Sequence, residues 1–250
     1  MTFAHPGDSH NHSLETLNQL YAYDDFMESI RSVVDLGCGS GDDLVWWATR
    51  MTNEENPRPL NIDCVGVDLF DNLKTVNNYK NITYQQANFE DTIPYPDNGF
   101  DILWCHDAFQ YAINPLQTLS NWWHIASPGA MLSLTVPVTQ QIHRRQLSYT
   151  LPGGCYHHHT MVSLMYMLAT AGWDCGAGFF KQTPADPWIH VIVHKSEHPP
   201  QNPRETDWHK LVDLNLLPKS AADSIYAHSA LRQQDLLVPW LDHSLLSMAL

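Results

Sequence analysis

VVDLGCGSGDDLVWWA, residues Val33 to Ala48, decides how the rest of the chain is read. Its apolar start reads as a buried strand, SVVDLG, and a helix follows from about Asp42 to Met51, ending before the polar, proline-bearing NEENPRP. Between them Gly37, Gly39 and Gly41 form G-x-G-x-G, a turn whose backbone can approach a ligand at the carboxyl edge of a sheet. A dinucleotide-binding loop would carry glycine or alanine at position 42, with the pyrophosphate seated on the helix N-terminus. This chain has Asp42 and Asp43 there. Two carboxylates suit the helix dipole but repel a phosphate arriving at the same amides. The stretch predicts a ligand held by backbone in acidic surroundings, without a pyrophosphate.

Working outward, Ser13 is placed to cap a helix whose Leu14, Leu17, Leu20, Tyr21, Phe26 and Ile30 form an apolar face. Downstream come a strand NIDCVGVDL, a helix near Leu73 to Tyr79, a short strand ITYQQA, the turn-rich PYPDNG and an apolar strand FDILWC. The helix LQTLSNWWHIA, the turn SPG and the strand AMLSLTVPV follow, then a helix MVSLMYMLATAGW capped by Thr160, and a late strand WIHVIVHK. Alternating strands and helices predict an α/β fold: a Rossmann-like doubly wound sheet, mainly parallel with an antiparallel late strand, plus N- and C-terminal helical additions. Residues 1–195 are expected to form the main domain, and 196–250 a helical extension packed on it. The apolar Leu211, Leu214, Leu216, Leu217, Ile225, Leu236, Leu237, Val238, Trp240, Leu241, Leu245 and Leu246 are too many for a solvated tail.

Composition narrows the function. At 250 residues the chain is long enough for one sizeable core with an appended segment. Thirteen basic residues against 27 acidic ones, a formal charge of −14, oppose unassisted binding to free nucleic acid or an anionic membrane. Cys38, Cys64, Cys105, Cys155 and Cys175 have no paired metal spacing, and they suit a reducing cytosol. No apolar run is long enough for a membrane helix, and Met1 to His12 lacks the order of a signal peptide, so a cytoplasmic chain is expected. S-adenosylmethionine fits the loop's demand, because it carries an adenosine with a sulfonium and an ammonium in place of phosphates.

From Val33 to about Lys195 the chain resembles the class I S-adenosylmethionine-dependent methyltransferases. VVDLGCGSG is similar to the family's first motif, VGVDL to its acidic second-strand end, ANFEDTIPYPDNGFD to the third region, ILWCHDAFQYAINP to the fourth, and SPGAMLSLTVP to the fifth strand with its preceding turn. HTMVSLMYMLATAGWD resembles the family's late helix. The resemblance implies S-adenosyl-L-methionine as cofactor, S-adenosyl-L-homocysteine as product, and methyl transfer to an O, N or C nucleophile of a small or protein-bound acceptor. By the same resemblance Asp35, Gly37, Cys38, Gly39 and Gly41 line the cofactor loop. Asp68 can accept both ribose hydroxyls, as the corresponding acid does in dinucleotide folds. Leu69 follows it along the adenine, and Asn88 and Phe89 fall where the family holds the adenine with a polar and an apolar residue. Asn88 stands where the family more often has aspartate, which would make the adenine partner a neutral amide oxygen.

The fourth strand delivers Cys105-His106-Asp107 to the edge where the methyl group should sit. Methyl transfer is an in-line displacement in which alignment and desolvation supply much of the rate, and a base is needed only when the acceptor must lose a proton. His106, with Asp107 or Tyr111 nearby in sequence, is a candidate base, and equally a residue that only shapes the methionine pocket. His157 and His159 could converge on one face of an extended chain while His158 points away. Without a third ligand nearby, the run reads as loop and acceptor-pocket lining, with no metal expected. Trp46, Trp47, Trp122 and Trp123 read as packing residues. Arg144-Arg145 could bind one phosphate or carboxylate of a small acceptor, or simply be solvated. The C-terminal extension could wall the acceptor pocket or face another copy. It also resembles methyltransferase-like proteins of marine viruses, a likeness that assigns no substrate. A different class of function stays open: a non-catalytic cofactor-binding or assembly protein that keeps the fold.

Overall fold

In the computed structural model of the chain, the residues described are 24–52, 57–70, 78–91, 95–137, 156–182 and 188–238. Strand β1 (Ser32–Leu36) is followed by α2 (Asp42–Ala48), β2 (Asp63–Asp68), β3 (Ile82–Gln86) and β4 (Phe100–His106); the short helix α1 (Asp24–Ser29) precedes them. Then come a 3₁₀ turn (Phe109–Tyr111), α3 (Pro115–Ile125), β5 (Ala126–Pro137), α4 (Met161–Thr170), β6 (Trp173–Lys181) and β7 (Trp188–Lys195). Two helices close the described chain, α5 (Trp208–Asp213) and α6 (Lys219–His228). The helix expected from Ser13 lies outside the described residues up to Asp24, as do most of the helix near Leu73, the Arg144-Arg145 pair, Cys155, Trp240, Leu241, Leu245 and Leu246.

The seven strands form one sheet in the order β3-β2-β1-β4-β5-β7-β6. β3, β2, β1, β4 and β5 run parallel, and β7 is antiparallel to both neighbours. The order reverses at β1, so β1 and β4 splay their connections to opposite sides and leave a crevice at their carboxyl ends. Alternate side chains serve opposite faces. Val33, Ile102, Trp104 and Met131 pack under α1 and α2 with Met27, Ile30, Leu44 and Trp47. Val34, Leu36, Leu103, Cys105, Leu132 and Leu134 face α3 and α4. Of the tryptophan pairs, Trp47 and Trp122 are fully buried, whereas Trp46 and Trp123 are half-buried at their helix edges.

Helix starts follow local chemistry. Asn114 accepts a bond from the Gln117 amide ahead of Pro115, Thr160 and Ser163 form a reciprocal capping box, and Asp207 accepts from the Lys210 amide. Leu211, Leu216, Leu217, Ala221, Ile225, Leu236 and Val238 join the same buried cluster as α3 and α4.

Two elements depart from the sequence reading. The SPG turn lies inside β5, which begins at Ala126; Gly129 takes a positive φ of 73° and the β4–β5 register shifts between Phe100 and Ile102. β6 (Trp173–Lys181) falls in a segment to which the sequence reading gives no element, and it contains Gly176 and Gly178. Here they sit in a bulge between Asp174 and Phe179, where the Asp174 carboxylate accepts from the Gly176 and Ala177 amides.

Candidate active site

The glycine loop lies at the crevice. Gly37, Gly39 and Gly41 all have positive φ, and Gly41 is the residue before α2. The Gly37 and Cys38 amides donate to the Val67 carbonyl at 2.8 and 3.2 Å, which ties the loop to the end of β2. A Cβ at Gly37 would overlap the Ala108 Cβ, so this glycine permits contact with the segment after β4. A Cβ at Gly39 would meet nothing within 4 Å. Gly39 therefore borders open space, and its amide donates to Asp68 Oδ2 at 2.9 Å. Asp68 Oδ1 accepts from the Phe70 amide at 2.9 Å. The carboxylate is thus oriented at the loop by one donor on each oxygen, and each oxygen keeps further acceptor capacity.

Three carboxylates surround this loop. Asp35, 3% exposed, is pushed well above the usual carboxylate range, first by burial and then by the negative charges of Asp43 and Asp68. A cation beside these groups would relieve the repulsion; a pyrophosphate would add to it. The loop thus provides the backbone cradle and negative field that a sulfonium and ammonium require. The two acids at the helix start do not simply face the mouth. Asp42 accepts from Ser40 Oγ at 2.8 Å, and Asp43 Oδ2 accepts from the Trp104 indole N–H at 2.8 Å. The buried Cys38 and Cys105 thiols are raised by burial first and by Asp35 second, and Cys64 is pushed up to about 12. None is a poised thiolate nucleophile.

Past the end of β2, Leu69 is 51% exposed beside Asp68, and Phe70 is 67% exposed. Asn88 is half-buried, and its Oδ1 accepts from the Glu90 amide at 3.1 Å, which orients it in a local turn. Phe89 lies inside: it is 7% exposed, tilted against Trp122 at 5.9 Å, with its carbonyl accepting the Trp122 indole N–H. Its ring supports the loop from behind, being 3.8 Å from a Cβ placed at Gly37.

At the end of β4, the His106 ring stacks on Trp104 with centroids 3.8 Å apart, and its Nε2 is 3.1 Å from Ser133 Oγ. Ser133 is a partner that adjacency in sequence does not reveal. Asp107 adopts the left-handed conformation, φ 53°, and its Oδ1 accepts from Gln110 Nε2 at 2.8 Å. Tyr111 is exposed at the end of the 3₁₀ turn. The Tyr156 and His157 amides both donate to the Gln110 carbonyl, which straps the histidine run onto this turn. His157 Nε2 donates to the Ile113 carbonyl at 3.1 Å, so neutral His157 carries its lone pair on Nδ1. His157 and His159 do share a face, with rings 6.1 Å apart, and His159 also stacks on Phe109 at 5.2 Å. Burial, then the neighbouring His157 and His158, pushes His159 down to about 4. Among the described residues no group of three His, Cys, Asp or Glu could hold a metal ion, and no helix is long and apolar enough to cross a membrane.

Residues 34–134 match the family described as a methyltransferase domain. Solved structures share the fold. A chain of the complex between the Haloferax volcanii Trm112 methyltransferase activator and a methyltransferase is 14% identical with a TM-score of 0.55, over 78% of this chain and 100% of that one. An S-adenosylmethionine-dependent methyltransferase from Aquifex aeolicus is 18% identical with a TM-score of 0.52, over 73% of this chain and 89% of that one. Another from Mesorhizobium loti is 17% identical with a TM-score of 0.51, over 66% and 90% respectively. No curated protein sequence matches the chain. The match to a methyltransferase domain thus spans β1 to β5, and the fold is one shared with solved S-adenosylmethionine-dependent methyltransferases.

Proposed function

We propose that the protein is an S-adenosyl-L-methionine-dependent methyltransferase acting on an O, N or C nucleophile of a small or protein-bound acceptor. The observation that carries this reading is the open glycine loop ringed by Asp35, Asp43 and Asp68, with buried Asp35 raised by its neighbours. Such a loop suits a cationic nucleoside ligand. Asp68 holds the ribose, Leu69 and Asn88 flank the adenine with Phe89 behind, and Asp35, Gly37, Cys38, Gly39 and Gly41 line the loop. When bound, the cofactor supplies a methyl group activated by the positive charge on sulfur. The protein's part is to align it with the acceptor and exclude water. His106, at the end of β4, borders the methionine end. Where the acceptor must lose a proton, His106 is positioned to take it, with Asp107 and Tyr111 on the same turn.

Residues 1–195 constitute the catalytic domain in this proposal and 196–250 its extension, working in a reducing cytosol, where buried free thiols such as Cys38, Cys64 and Cys105 persist. The net charge of −14 favours an acceptor other than free nucleic acid.

The test is incorporation of labelled methyl from S-adenosylmethionine into small-molecule, protein, DNA, tRNA and mRNA pools at low and near-physiological salt. Label in the small-molecule or protein pool is expected. Label confined to a nucleic acid at the higher salt would overturn the acceptor class. Cofactor binding without label in any pool would favour a non-catalytic binding protein of the same fold.

A further inference from the structure

We propose that Asp43 and Trp104 are positioning residues for His106, so that the helix following the glycine loop sets the imidazole at the edge where methyl transfer takes place. The proposal rests on the methyltransferase reading above for its function, while its geometry stands independently.

The array begins in the first turn of α2. A carboxylate there benefits from the helix dipole without reaching far, as exposed Asp42 does in accepting from nearby Ser40 Oγ. Asp43 instead reaches across the sheet face to the indole N–H of Trp104, 61 residues away, at 2.8 Å. A charged acceptor makes this the stronger kind of hydrogen bond. The indole it holds has no surface exposure, and Trp47 meets it edge-on with centroids 5.7 Å apart and planes at 77°. Trp47 in turn meets Trp46 edge-on at 5.2 Å. The indole is therefore fixed in both plane and rotation.

His106 lies two residues along β4 from Trp104, so both project from the same face of the strand. Its ring stacks on the indole at 3.8 Å with 30° between planes. The neighbouring strand completes the clamp: β5 places Ser133 opposite Trp104, and the serine hydroxyl meets His106 Nε2 at 3.1 Å. Stacking sets the plane of the imidazole, and the hydroxyl sets its rotation. Because Asp43 belongs to the helix that starts at Gly41, the cofactor loop and His106 are held in register through one carboxylate.

The experiment uses the full chain, with histidine selectively labelled for NMR and His106 assigned by the loss of its signals in His106→Gln. Wild-type His106 ring protons should be displaced by the indole ring current. Asp43→Ala should move them towards the positions of a solvated histidine and weaken S-adenosylhomocysteine binding about fivefold, the equivalent of one ordinary hydrogen bond. Asp43→Asn keeps an acceptor oxygen for the indole and should restore the His106 signals, while the loss of its charge beside the loop leaves S-adenosylhomocysteine affinity below wild type. Thermal melting checks that each variant is folded. Unmoved His106 signals in folded Asp43→Ala would overturn the proposal, as would unchanged affinity in that variant or His106 signals in Asp43→Asn that match the alanine variant's. Failure of the wild-type protein to bind S-adenosylhomocysteine would overturn the methyltransferase reading instead, whatever His106 does.

Discussion

Replacing Gly37 and Gly39 separately by alanine should give opposite results, because the structure assigns the two glycines different tasks. Both have positive φ, 87° and 52°, where an L side chain costs about 1–2 kcal/mol. At Gly37 that is only part of the cost. The new methyl would overlap the Ala108 Cβ, which is fixed to its backbone and cannot rotate away, with Phe89 Cδ1 3.8 Å off on another side. Overpacking of this kind costs about 1–3 kcal/mol, so Gly37→Ala should lose roughly 2–5 kcal/mol in all. At Gly39 the methyl meets nothing within 4 Å. The loss there should be about 1 kcal/mol, since a stiffer unfolded chain offsets part of the backbone strain. The same methyl, however, projects into the space proposed for the cofactor. Urea unfolding followed by tryptophan fluorescence, paired with calorimetric titration of S-adenosylhomocysteine, separates the two effects. Gly37→Ala should be the markedly less stable protein. Gly39→Ala should be nearly as stable as wild type and should bind at least tenfold more weakly. Wild-type affinity in Gly39→Ala, or a Gly37→Ala variant as stable as Gly39→Ala, would refute the division of tasks.

His159 should make stability fall with acid. Its pKa is about 4 in the folded chain against an ordinary value near 6.5, so the unfolded chain binds the proton first. The folded state keeps its full stability above about pH 6.5, loses it progressively as pH falls towards 4, and loses no more from this group below that. The loss is at most about 3 kcal/mol. His159→Phe, which can still stack on Phe109, should flatten this part of the profile in urea melts at pH 7 and 4.5; an unchanged profile would assign the acid sensitivity elsewhere. Leu211→Ala, in the buried part of α5, should cost about 2–5 kcal/mol if the C-terminal helices share the core of the sheet. A loss under about 1 kcal/mol would mean they rest on the domain without stabilising it.

The parts legible in the sequence are those fixed by local chemistry. The apolar run from Val33 followed by three glycines gave β1, its turn and α2. Thr160 marked the start of α4 because a hydroxyl there has an amide to accept, and WIHVIVHK gave β7 because its side chains are buried on both sides of the sheet. β6 was hidden by Gly176 and Gly178, whose usual meaning is a turn; a would-be Cβ at Gly176 meets the Asn215 carbonyl at 2.9 Å, a constraint from a segment nearly forty residues on. The site shows the same split. Gly37, Gly39, Gly41 and Asp68 stand at the crevice because they end strands beside its switch point. Asp43 binding Trp104, and Ser133 binding His106, depend on which strands become neighbours, β1 with β4 and β4 with β5. The linear sequence carries no mark of either pairing. Phe89, given to the adenine by the family resemblance, packs its ring against Trp122 on α3, a neighbour the linear sequence does not reveal.

Whether the glycine loop and Asp68 hold an S-adenosyl group is answered by calorimetric titration of wild-type protein and Asp68→Ala with S-adenosylhomocysteine and with NAD. Wild type should bind S-adenosylhomocysteine and not NAD. Asp68→Ala should remain folded and bind more weakly by about 1.5–3 kcal/mol, roughly ten- to a hundredfold, the value of hydrogen bonds to a charged group. Binding of NAD in preference to S-adenosylhomocysteine, or unchanged affinity in folded Asp68→Ala, would contradict an S-adenosyl group held there.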